Sequence, residues 1–348
     1  MVGIIAANNL RFSPYIFYYT RLLDEIEIDY EVIFPNRNPE MIEPFNAKTI
    51  PIEWNKKRHS LMNYFFYSKK VKKISDKKYD FLIVLTTTNA VFCSLWLRKK
   101  YREKYIVDIR DYTYEYNSIF YKLEKKVLEK SKYNVISSEK FKLFLPESKY
   151  LICHNINTPL QKSIHSFKKK EGKIIVGYIG AISYEKQCKR FIDLVNSDER
   201  FEFHLYGTGI SEAALRKYAK AYCNNRIIFF GKYNNCDKDK IIQNVDILFN
   251  VYGNGRPLVD YALSNKLYDA LYYHKPLITS PCTYMEEMGG YMAFSLNLDK
   301  DNNLQKLWDW YHKLDNKIFD KYADTLYEKV MQQNRVTEET IKLAFAKE

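Results

Sequence analysis

The chain has 348 residues, 46% of them hydrophobic and 28% charged, and carries a net charge of +13. That length and apolar content support about two folded domains with real cores and exclude a disordered chain. Glycine (11) and proline (10) are too scarce for a collagen-like or linker-dominated sequence, and no apolar run reaches the roughly 20 residues of a membrane-spanning helix.

Met1-Val2-Gly3-Ile4-Ile5 enters an apolar run directly, without a basic leader or a small-residue cleavage site, so no signal peptide is expected. The first half of the chain shows six strand-like runs: Val2–Ala6, Tyr30–Phe34, Asp80–Leu85, Tyr105–Ile109, Tyr133–Ser137 and Tyr150–Cys153. Amphipathic stretches near 14–25, 57–75, 89–103, 117–131 and 138–145 separate them. Near-continuous apolar runs such as Phe81-Leu82-Ile83-Val84 suit strands covered on both faces, and strand–helix alternation implies a parallel, doubly wound sheet. The second half repeats the plan. Strands are expected at Ile174–Ile179, Glu202–Tyr206, Ile227–Phe230, Ile247–Asn250 and Pro276–Ser280, with helices near 185–196, 210–223, 237–243, 264–273 and 302–313. Two further helical segments, 316–333 and 336–346, close the chain. The polar, basic stretch 157–172, which includes Lys168-Lys169-Lys170, is the linker candidate. The expected division is 1–160 and 161–330, with 331–348 as a terminal helix that can pack back on the first domain.

Six scattered cysteines show no CxxC spacing and read as reduced thiols of a cytosolic protein, not as a zinc site or disulfide framework. No metal site is expected, since the six histidines show no ligand spacing. Residues 1–160 carry +9 of the net charge and 161–348 carry +4, which favours an anionic partner for the first half: nucleic acid, anionic lipid or a phosphate-bearing substrate.

Ligands of open parallel sheets bind outside the carboxyl ends of the strands, so those ends are where chemistry is sought. Gly177-Tyr178-Ile179-Gly180 ends a strand, and a helix starts near Glu185-Lys186. Gly180 permits close backbone approach, while the helix start and Lys186 can meet a phosphate; an ordinary turn with a solvated lysine fits equally. Tyr206-Gly207-Thr208-Gly209 is a second glycine turn at a strand end, without the full dinucleotide fingerprint. Asn265-Lys266-Leu267-Tyr268-Asp269 puts a lysine and an acid three apart on one helix face, suited to a diphosphate and a ribose, or to a plain surface ion pair. In the first half, Asp108-Ile109-Arg110-Asp111 places charges at a strand end, either with a functional purpose or as a structural Asp–Arg pair. His154-Asn155 follows the last strand of that domain. Residues 54–78 hold nine Lys/Arg and five aromatics against one acid, Asp76. With Lys69, Lys70, Lys72 and Lys73 at its centre, this segment fits an interfacial helix on anionic lipid, a nucleic-acid phosphate contact, or a solvated helix face.

As an ordered set these stretches resemble the GT-B glycosyltransferases, and more narrowly the retaining "family four" enzymes of bacterial capsule and surface polysaccharide synthesis. Gly180–Lys186 is similar to that family's donor-diphosphate loop, and Asn265–Asp269 with Pro276 seven residues on is similar to its nucleotide-ribose segment. The Lys142–Pro146 stretch, Val107–Asp111 and His154-Asn155 carry the likeness in the first half. The sequence departs from the pattern at Ala181, where an arginine is usual, at Tyr261, where the first of two spaced glutamates is usual, and at Arg110, where a histidine is usual.

The resemblance implies two Rossmann-like domains facing across a cleft. Gly180, Lys186, Gly207, Asn265, Lys266 and Asp269 would hold the donor, and Arg110 and Asp111 would act on the acceptor side. It implies transfer of a sugar from a nucleotide-diphosphate sugar to a glycan or polyprenyl-diphosphate-linked acceptor, with no cofactor and no metal. It also implies a cytoplasmic enzyme held peripherally on the inner face of the plasma membrane, with no nucleic-acid partner. A non-hydrolysing nucleotide-sugar epimerase and a non-catalytic basic binding subunit are the alternative readings.

Overall fold

In this computed structural model the described residues are 1–10, 13, 15–38, 48–57, 59–76, 78–156, 165–222, 225–298 and 303–345. Half of the expected linker (157–164), Arg58 and Lys77 of the basic segment, and Cys223 lie outside them. The chain forms two compact units, Met1–Asn155 with Gln332–Glu348, and Ile156–Met331.

The first unit is a seven-stranded sheet. Its strands are β1 (Val2–Ile5), β2 (Tyr30–Asn36), β3 (Lys48–Glu53), β4 (Phe81–Leu85), β5 (Tyr105–Ile109), β6 (Tyr133–Ile136) and β7 (Tyr150–Ile152), in the order β3-β2-β1-β4-β5-β6-β7. Every pairing is parallel, with Ile4 opposite Val32 on one side and Ile83 on the other. β4 and β5 are buried along their whole length, as strands covered on both faces must be. The helices are α1 (Ile16–Glu25), α2 (Ser60–Ser75), α3 (Thr87–Lys100) and α4 (Ser118–Leu128). α1 turns Ile16, Tyr19, Leu22 and Leu23 to the core. α4 starts on Asn117, whose side-chain oxygen accepts from the backbone N–H of Ile119 and Phe120 at 3.0 and 3.1 Å, satisfying two otherwise free donors. β3 was not legible in the sequence: Pro51 interrupts it, which a strand tolerates at the edge of a sheet, where β3 lies.

The second unit has a six-stranded parallel sheet of the same winding, in the order β10-β9-β8-β11-β12-β13. Its strands are β8 (Ile174–Ile179), β9 (Phe201–Tyr206), β10 (Ile227–Gly231), β11 (Ile247–Asn250), β12 (Leu277–Thr279) and β13 (Ala293–Ser295). Around them run α5 (Glu185–Ser197), α6 (Glu212–Lys220), α7 (Lys238–Gln243), α8 (Pro257–Tyr261), α9 (Asn265–Tyr273), α10 (Tyr284–Gly289) and α11 (Asn303–Lys313). Phe191, Phe203 and Phe249 meet in its core with ring centroids 4.8–5.1 Å apart. The order of winding reverses between β8 and β11, which opens a crevice at their carboxyl ends.

The two closing helical segments are one helix, α12 (Asn316–Leu343), whose last turns belong to the first unit. There Thr337 donates to the Ile152 carbonyl at 2.6 Å, Glu338 pairs with Arg21 at 2.9 Å, and Phe345 packs edge-on against Phe81. Gln333 meets the His154 ring at 2.8 Å, and the Asn334 side chain accepts from the His154 backbone N–H. His154 is therefore a satisfied imidazole at a strand end.

Candidate functional site

The carboxyl ends of β8, β11, β12 and β13 surround a cavity of about 440 Å³, within the size range of small-molecule sites. Lys186 and Arg190 reach it from successive turns of α5, Arg256 and Asn254 from the loop after β11, Ser280 from the end of β12 and Asn297 from beyond β13. Three cations and no carboxylate line it. That is a preorganised environment for an anion, in which negative charge is met without moving water dipoles.

Behind the Tyr252 wall of this cavity stands α9, whose residues from Lys266 to Tyr273 are all buried. Lys266 is only 8% exposed, so the surface ion-pair reading is excluded. Its ammonium donates to the Tyr252 hydroxyl at 2.6 Å and lies over the rings of Tyr178 and Tyr252, 4.7 and 5.2 Å from their centroids. Tyr252 in turn stacks on Tyr184, at the start of α5, with centroids 4.0 Å apart. The same ammonium is 3.8 Å from where a Cβ on Gly180 would sit, so Lys266 and the Gly180 turn do converge.

Asp269, one turn along α9, takes the Lys238 ammonium at 2.6 Å rather than Lys266. Burial lifts its carboxyl above the usual carboxylate range, with Lys238 and then Lys266 pulling against that shift. Asn265 stands in the first turn of the same helix, beside Ser264, whose hydroxyl bonds Asn250 at 2.7 Å.

Gly207 has φ +128°, and a Cβ there would lie 2.0 Å from the Gly180 carbonyl oxygen. The glycine is required so that the two strand-end turns can touch, and Gly180 N–H donates to the Tyr206 carbonyl at 2.9 Å across the same contact. Its place is behind the Gly180 turn, supporting it. Several site residues escaped the sequence reading. Arg190 follows Lys186 by one helical turn, a spacing that could have shown it. Tyr252, Asn254 and Arg256 sit in Tyr252-Gly253-Asn254-Gly255-Arg256, a glycine-rich strand end whose pattern could have shown them. Lys238 carries no local signal at all.

In the first unit, the structural reading of the strand-end charges holds. Arg110 is 8% exposed and grips Asp108 with two donors at 2.5 and 2.7 Å, while a third reaches the Cys153 carbonyl at 2.7 Å. Tyr19 completes the cluster by donating to Asp108 at 2.5 Å. A guanidinium so engaged braces β5 against β7, which corrects its expected place as an acceptor-facing group. Asp111, two residues beyond β5, keeps an exposed side, while the packed surroundings of its carboxyl and then Asp108 raise its pKa against the pull of Arg110.

Of the basic segment, α2 anchors itself through Tyr67, whose hydroxyl donates to the Ala6 and Ile33 carbonyls at 2.9 and 3.1 Å. Trp54 and Tyr64 pack on the Arg37 guanidinium instead of facing out. The opposite side of α2 exposes Leu61 (44%), Met62 (49%), Phe65 (44%) and Phe66 (40%). Lys69, Lys70 and Lys73 continue that exposed side toward the helix end, and the Lys69 ammonium lies 4.5 Å from the Phe65 centroid. Lys72 is not brought to this face: its ammonium donates to the Phe92 carbonyl of α3 at 3.1 Å.

No protein-family model matches the chain, and no curated protein matches it in sequence. Among solved structures it is similar to HepE of Anabaena in complex with UDP, at 12% identity and a TM-score of 0.72, over 98% of this chain and 100% of that one. It is similar to a sucrose-phosphate synthase of Thermosynechococcus elongatus, at 12% identity and 0.71, over 98% and 99%. It is also similar to the lipopolysaccharide outer core galactosyltransferase WaaB, at 14% identity and 0.66, over 98% and 100%. At these identities the likeness is one of fold: two parallel-sheet α/β domains of the GT-B type.

Proposed function

We propose that the protein is a glycosyltransferase that moves a sugar, with retention, from a nucleotide-diphosphate donor to a glycan or polyprenyl-diphosphate-linked acceptor in bacterial surface polysaccharide synthesis. The observation that carries this reading is the buried Lys266 ammonium beneath the Gly180 turn, next to an anion-suited cavity at the switch point of the second sheet. A GT-B neighbour captured with UDP supports it and makes UDP the first nucleotide to test. In the reaction the acceptor hydroxyl attacks the anomeric carbon on the face the phosphate leaves. The bond from that carbon to the β-phosphate oxygen breaks, the nucleoside diphosphate departs, and the acceptor proton passes to the departing phosphate. Lys186 and Lys266 meet the growing charge, and Asp269 takes the ribose. Because cationic side chains do this neutralising, activity is expected to survive EDTA; loss that magnesium restores would overturn that part of the reading.

The deciding experiment is a donor screen. Each common nucleotide sugar is added, and stabilisation against heat and release of nucleoside diphosphate are followed with and without acceptor. A stabilising donor whose turnover rises with acceptor is the expected result. Turnover to an epimeric sugar without acceptor would favour the epimerase reading, and stabilisation by none would remove both.

The exposed side of α2 supports attachment to an anionic membrane surface. Four exposed apolar side chains provide an insertion face, and each cation near an anionic surface adds about 1 kcal/mol. Co-sedimentation with vesicles containing anionic lipid is expected to fall for Lys69→Glu with Lys70→Glu and Lys73→Glu, and to fall in high salt as screening shortens to roughly 3 Å at 1 M. Equal pelleting of variant and parent would overturn the attachment.

A further inference from the structure

A second cavity, of about 490 Å³, lies at the opposite end of the second sheet from the donor crevice. Its lining residues Asp246 and Lys275 stand just before β11 and β12, and Lys170 stands shortly before β8, so the cavity opens at the amino ends of the strands. It contains the basic run Lys168-Lys169-Lys170, which the donor chemistry leaves unused.

Four lysines line this cavity against a single aspartate. Two of the lysines have local work. The Lys169 ammonium donates to the His312 carbonyl at 2.6 Å and that of Lys275 to the Val245 carbonyl at 2.6 Å, near the ends of α11 and α7, where cations complement the helix dipole. The Lys169 contact uses one of three ammonium protons, and Lys275, which also donates to the Gln243 carbonyl at 3.4 Å, uses two. Lys170 meets Asp246 at 3.3 Å, and Lys168 is exposed. His165, on the same wall, packs against Tyr272 and Tyr273, and its Nε2 is buried without a hydrogen-bond partner. Positive charge therefore predominates on the lining itself, with Asp320 and Asp324 set behind it on His274 and Asp239 on Tyr273.

We propose that this cavity is a second anion site, separate from the donor crevice, that takes a small phosphate-bearing ligand. Two features fit that chemistry: compact ammonium groups suited to phosphate oxygens, and a volume that holds more than a bare ion. Burial holds the Lys275 amine below its usual range, and the nearby Lys170 charge pushes it the same way. An anion among them would relieve that crowding.

The inference is independent of the proposed reaction, and its test uses inorganic pyrophosphate on the full chain. Amine acylation is mapped by mass spectrometry with and without pyrophosphate, in the parent protein and in Lys266→Ala. Protection of Lys168, Lys170 and Lys275 by severalfold in both proteins is the expected result. In calorimetry, Lys168→Gln with Lys170→Gln should lose one pyrophosphate site and keep the other. The single Lys168→Gln, which alters an exposed side chain, should weaken the same site with an unchanged unfolding midpoint. No protection at these lysines, or protection that disappears in Lys266→Ala, would overturn the second site.

Discussion

The Lys266 ammonium and the Tyr252 hydroxyl, from α9 and the loop after β11, are hydrogen-bonded at 2.6 Å. This bond gives a buried cation a neutral partner where an ion pair would have cancelled its charge, so the field of the lysine remains available to a ligand. Replacing Lys266 by Ala should weaken UDP binding by about 1.5–3 kcal/mol, the scale of a charged hydrogen bond. Tyr252→Phe should cost less, because the ammonium keeps its place over the Tyr178 ring. Calorimetric titration checks both. An affinity for UDP unchanged in Lys266→Ala would remove this lysine from the donor site.

In the proposed reaction Asp269 is the residue that separates nucleotide from diphosphate. Lys238 occupies one of its oxygens and leaves the other to accept from a ribose hydroxyl. Asp269→Asn should therefore weaken UDP more than inorganic pyrophosphate. Lys238→Met should instead destabilise the fold by about 3–5 kcal/mol, since it leaves a carboxylate only 5% exposed without its partner. Binding titrations with the two ligands and urea unfolding separate the two effects. Equal losses for UDP and pyrophosphate in Asp269→Asn would defeat the ribose assignment.

Both sheets were legible because β1, β4, β5, β8 and β11 are short apolar runs bounded by turns, and their burial is what those runs demand. The glycine turns at Gly180 and Gly207 were legible for the same local reason. What the sequence did not show is set by contacts distant in the chain. β13, three half-buried residues, is a strand only because β12 pairs with it. Lys238 finds Asp269 across 31 residues. The Arg110–Asp108 cluster required the Cys153 carbonyl, supplied 43 residues later, to turn a strand-end charge into a brace.

That brace has a measurable consequence. Arg110→Met strands Asp108, which is fully buried, and should cost about 3–5 kcal/mol in urea unfolding. A paired Asp108→Leu and Arg110→Met replacement should recover most of that loss, because removing both charges also removes the desolvation they required. If Arg110→Met keeps its stability and loses only turnover, the arginine acts on the substrate after all.

Glu124 makes stability depend on pH. It is fully buried on α4, neither of its carboxyl oxygens has a hydrogen-bond partner, and desolvation, helped by Glu115, pushes its pKa from 4.5 to about 9. The folded chain thus holds this proton where the unfolded chain releases it. A group whose pKa is raised by folding contributes its full stability below the unfolded value and loses it as pH climbs toward the folded one. Between pH 4.5 and about 9 the contribution should fall by about 1.4 kcal/mol per pH unit. Glu124→Gln has no proton to lose. It should match the parent near pH 4.5, exceed it at pH 8, and flatten the difference between the two pH values in urea unfolding. Parallel pH profiles for parent and variant would show that Glu124 is already ionised in the folded protein.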